Sequence, residues 1–92
     1  MVQIKKLVLD VLKPLKPSIL DFAMHLSQSL PNTEIQVHVS GVDEKTQDVV
    51  VTLHGDLEFE KIDSLITDLG ASIHSIDEVI TVNADSSTQQ TD

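Results

Sequence analysis

Apolar residues in this chain fall into six blocks, and the spacing within each block predicts an element. From Val2 to Leu12 the run is rich in leucine and β-branched residues, with Leu7, Leu9 and Val11 at alternate positions. A period of two is that of a strand. Leu7, Leu9 and Val11 are expected to face a helical layer, and Ile4, Lys6, Val8 and Asp10 the opposite side. Lys13–Pro14–Leu15–Lys16–Pro17 is a stiff connection, because proline fixes φ and keeps the residue before it extended. From Ser18 to Leu30 the period changes to that of a helix: Ile19, Phe22, Ala23, Leu26 and Leu30 share one face. Ser18 with Asp21 three residues on resembles a capping box, and Pro31 stops the helix.

Glu34 to Val42 alternates again, and so does Asp48 to His54, around the polar turn Asp43–Gln47. The pair reads as a hairpin. The expected register sets His38 opposite Thr52 and Gln36 opposite His54, and Gly55–Asp56 is expected to end the strand. Glu58 to Leu69 has the stripe Phe59, Ile62, Leu65, Ile66, Leu69 of a second helix, which Gly70 terminates. The last strand, Ala71 to Asn83, breaks strict alternation. If Ile73 faces the helices, Ser75 and Asp77 would follow it inward, and a buried unpaired carboxylate is costly. A bulge near Ser75–Glu78 is therefore expected, resetting the faces before Val79–Val82.

The order β-α-β-β-α-β defines an α+β, ferredoxin-like sandwich: a four-stranded antiparallel sheet with two helices on one face. Right-handed crossovers place the first and third strands in the centre. Residues 1–84 form the one domain that 92 residues can support, and 85–92 read as a polar, disordered tail. Aromatics are confined to Phe22 and Phe59, so the core is built of Val, Ile and Leu.

Charge narrows the partners. Fifteen acidic against 6 basic residues leave a net charge of −9, which disfavours nucleic acid and anionic membrane surfaces. Cysteine is absent, excluding disulfides and thiolate chemistry. There is no signal-peptide pattern and no apolar run approaching the ~20 residues of a membrane helix. A cytoplasmic location is expected.

Two segments carry a resemblance. Leu7–Val8–Leu9–Asp10–Val11–Leu12–Lys13–Pro14, followed by Lys16–Pro17–Ser18–Ile19, and then Ile73–His74–Ser75–Ile76–Asp77–Glu78–Val79, resemble the signature segments of a small archaeal family classed as a domain of unknown function. The similarity runs from about Val2 to Val82. It implies a ferredoxin-like fold, a homo-oligomer with a ring as one form, and divalent-cation binding; it implies no established activity. Lys16 departs from the family pattern, which has an acidic residue there, so the resemblance carries no acidic ligand from that loop.

The candidate chemistry lies at one end of the sheet. The end of the first strand and the starts of the third and fourth meet there, bringing Asp10, Asp48 and His74 to the face away from the helices, with Asp77 and Glu78 at the expected bulge. Carboxylates with one imidazole suit Ca²⁺, Mg²⁺ or Mn²⁺ better than structural zinc. The plainer alternative is a solvated acidic edge with Asp10 and His74 as a cross-strand pair. His38, His54 and His25 match no metal spacing and read as surface residues. An enzyme is not expected: Ser72 and Ser75 flank His74, but adjacent strand residues point to opposite faces, the three glycines build no phosphate loop, and Asp77–Glu78 lack a converging pocket. The expected function is a non-enzymatic oligomeric binding module that takes a divalent cation. The alternative is a small-molecule sensor of the amino-acid-binding type, disfavoured by a first loop without glycine.

Overall fold

The computed structural model describes residues 1–84; the expected tail, 85–92, lies outside the described residues. The elements are β1 (Val2–Pro14), α1 (Ile19–Ser29), β2 (Glu34–Val42), β3 (Thr46–Leu57), α2 (Phe59–Asp68) and β4 (Ser72–Asn83). They build one sheet of order β2-β3-β1-β4, in which every neighbouring pair is antiparallel. This is the ferredoxin-like α+β fold, with the first and third strands central as the crossover rule requires.

The alternating apolar positions explain the packing. Leu7, Leu9 and Val11 of β1 and Val49, Val51 and Leu53 of β3 are buried against Phe22 and Leu26 of α1 and Ile62 and Ile66 of α2. At the N-cap of α1, the Ser18 hydroxyl accepts from the Asp21 backbone amide at 3.1 Å. Gly70, at φ 85°, takes the left-handed turn that ends α2, a conformation that costs a Cβ-bearing residue energy. No helix among the described residues is long and apolar enough to cross a membrane.

Four expectations need correction. Gly55–Asp56 does not end β3, which runs on to Leu57. A glycine inside a strand often marks a close backbone approach, and here a Cβ on Gly55 would stand 3.1 Å from the Asn32 carbonyl oxygen. The hairpin register is shifted: Gln36 faces Thr52, His38 faces Val50 and Glu34 faces His54. The turn is correspondingly tighter, with β3 beginning at Thr46. Ile4 packs against the core rather than facing away, because the register of β1 shifts between Ile4 and Lys6 on both sides. Finally, β1 continues through Lys13, which extends the inward series Leu7, Leu9, Val11 and is fully buried.

The irregularity expected in β4 is a double one. Ile73, Ile76 and Val79 are spaced by three, yet stand opposite Val11, Leu9 and Leu7, which are spaced by two. Two extra residues, His74 and Asp77, absorb the difference as bulges between Asp10/Val11 and Val8/Leu9. The apolar series thus keeps to the helical face while the polar residues between are turned outward. The helices are too short to cover the strand: 11 and 10 helical residues span about 16 and 15 Å, against about 40 Å for the 12 residues of β4. Ile73 packs against the core, whereas Ile76 and Val79 remain 48% exposed.

Candidate functional site

A shallow depression of about 410 Å³ crosses the helix-free face at one end of the sheet, lined by Asp10, Leu12, Ser40, Asp48 and His74. Every strand contributes. Asp10 and Leu12 come from the end of β1 and Asp48 from the start of β3, directly opposite Leu12. Ser40 is the unpaired residue where the β2–β3 register shifts, and its hydroxyl donates to the Asp48 carbonyl at 3.2 Å. His74 is the first bulge residue of β4. The depression thus draws on all four strands, with an unpaired bulge residue at each edge of the sheet. The fold brings together Asp10, Asp48 and His74, three of the five residues singled out in the sequence. Alternation alone accounts for Leu12, and the outward series Gln36, His38, Ser40 was the available signal for Ser40.

Asp77 and Glu78 lie outside this depression and have partners of their own. The Ser75 hydroxyl donates to Asp77 Oδ1 at 2.8 Å across the second bulge. Lys6 Nζ donates to Glu78 Oε2 at 2.8 Å. Among the described residues, no three His, Asp or Glu side chains converge closely enough to hold one metal ion.

Beyond the second bulge, β4 changes character. Val79, Ile80 and Val82 are 43–48% exposed on a strand whose outer edge has no neighbour among the described residues. Val79 is on the helical face and Ile80, opposite Lys6, on the other. A larger groove, about 660 Å³, lies where the start of β1 meets the end of β3 and the start of α2; it has an apolar floor of Ile4, Leu57 and Phe59 and an acidic rim of Asp56, Glu58 and Glu60. Lys5 pairs with Asp56 beside it.

The fold and the paired signature segments place the chain among ferredoxin-like proteins of unassigned role. It belongs to the family DUF211, described as Uncharacterized ArCR, whose model matches residues 5–90. It is similar to an uncharacterized protein of the archaeon Methanocaldococcus jannaschii, at 44% identity over 79 residues, covering 84% of this chain and 80% of the relative.

Proposed function

We propose that this protein is a non-enzymatic oligomeric binding module, ring-shaped in assembly, that takes a divalent cation at the acidic end of its open sheet face. The observation that carries the reading is the distal half of β4, an edge strand with exposed Ile76, Val79, Ile80 and Val82 on both of its faces. Native sheets cover or blunt such edges, and small domains gain stability from assembly. Asp10, Asp48 and His74 would supply ligands to Ca²⁺, Mg²⁺ or Mn²⁺, with Asp77 adding negative field along the same strand and Glu78 doing so only as far as Lys6 leaves its charge unbalanced. The net charge of −9 favours a cation near these carboxylates. The Ser75 hydroxyl is turned to Asp77 rather than to His74, which favours a binding role over a serine–histidine pair at this strand.

Thermal melting with each cation tests the reading, because a ligand that binds only the folded state raises the melting temperature. A rise with Ca²⁺, Mg²⁺ or Mn²⁺ supports the module. A rise with free amino acids and none with cations would favour the sensor.

A further inference from the structure

We infer that the β4 edge is filled by β2 of a second copy of this chain, added head to tail; this rests on the oligomeric reading above and specifies its contact. The topology permits it. All neighbours in the order β2-β3-β1-β4 are antiparallel, so β4 runs antiparallel to β2. A second copy can continue the sheet with its helices on the same face, and each contact covers one edge of each kind. A symmetric β4–β4 contact would leave both β2 edges open.

Charge favours the same choice. Pairing β4 with itself brings the Asp77–Glu78 segments of two copies toward each other in a chain already at −9. β2 carries a single charged residue, Glu34, at its start. The side chains define a register. With Glu78 opposite His38, Ile80 meets Gln36 and Val82 meets Glu34 on the open face. On the helical face Val79 meets Val37 and Thr81 meets Ile35. The bulge at Asp77 then aligns Ile76 with Val39 and Ser75 with Ser40. The half-exposed Ile76 and Val79 thereby gain partners in Val39 and Val37, which are themselves only partly buried in one copy. The contact also sets a histidine of the next copy beside Glu78, adding a donor to a face on which the described residues of one chain bring no three ligands together.

The chain has no native cysteine, so engineered pairs report cleanly. Opposed residues on neighbouring strands bring their Cβ atoms close enough for a disulfide. Two double variants, Gln36→Cys with Ile80→Cys and Ser40→Cys with Ser75→Cys, are oxidised after light scattering of the reduced proteins has established their mass. The expected result is a ladder of covalent dimers, trimers and higher species from each pair, and none from any single variant. An oligomer that yields no ladder from either pair, or covalent dimers from Ile80→Cys alone, overturns this contact and leaves the oligomeric reading standing. A wild-type monomer overturns both.

Discussion

Lys13 and Gln47 face each other at the end of β1 and the start of β3, and the lysine Nζ donates to Gln47 Oε1 at 3.0 Å. The same ammonium donates to the Pro14 carbonyl at 2.7 Å and the Leu15 carbonyl at 3.4 Å. A cation fully removed from solvent is thus held by neutral oxygens, and it fixes the chain leading to α1.

Burial lowers the pKa of Lys13 from its usual 10.5, because desolvation disfavours the charged form. The unfolded chain therefore binds this proton more tightly than the folded one. Stability from this group is lowest below the folded pKa and rises as pH climbs toward 10.5. Replacing Lys13 with Met leaves three acceptors unmatched, a loss of about 1–3 kcal/mol at neutral pH. The stability gap between wild type and Lys13→Met is expected to widen on moving from pH 7 toward 10. Urea denaturation at both pH values checks it; a gap that shrinks would contradict the assignment.

Gly55 is a second test of the fold. Its φ of 153° is one that Cβ-bearing residues rarely adopt, and a Cβ there would crowd the Asn32 carbonyl oxygen at 3.1 Å. Gly55→Ala is expected to cost about 1–3 kcal/mol, a drop of several degrees in melting temperature for a domain of this size. An unchanged melting temperature would mean that β3 does not pass the Asn32–Thr33 turn this closely.

The cation reading predicts graded losses. Calorimetry should detect binding of Ca²⁺, Mg²⁺ or Mn²⁺ to the native protein. Removing one unit charge about 4 Å from an ion costs on the order of 1 kcal/mol or more per ionic charge in a solvated site. Asp10→Asn is expected to weaken binding on the order of tenfold, and Asp77→Asn by less, since it lies outside the depression. Binding should also weaken on acidification, because ligands must shed their protons to bind metal. Equal affinities in wild type and both variants would leave these residues a solvated acidic edge.

Edge pairing predicts the effect of one charge. Ile80→Lys places a cation on an exposed apolar edge position, a device that blocks strand addition. The variant should keep its melting cooperativity while losing assembled mass. Unchanged mass would show that the contact lies elsewhere.

The elements, their order and the central strands were legible because periods of two and 3.6 are written plainly in Leu7–Val11, Phe22–Leu30 and Phe59–Leu69. The misplaced Ser75 and Asp77 revealed that β4 is irregular, since neither can be buried unpaired. That there are two bulges was encoded in the spacing of Ile73, Ile76 and Val79, and it becomes visible once β1 supplies the partners. Gly55 misled because glycine signals both a turn and an in-strand close approach, and only Asn32, distant in sequence, decides between them. Lys13 was hidden by its type: the alternation pointed it inward, but a lysine enters a core only when acceptors such as Gln47 and two carbonyls await it. The depression at Asp10, Asp48 and His74 followed from topology, while the partners taken by Asp77 and Glu78 depended on Ser75 and Lys6.

Self-association through the β4 edge is the central claim, and the mass of the native protein in solution tests it most directly. Light scattering at micromolar concentration is predicted to give a discrete multiple of the 10.1 kDa chain. A mass of 10.1 kDa, unchanged as the concentration is raised, would contradict the account.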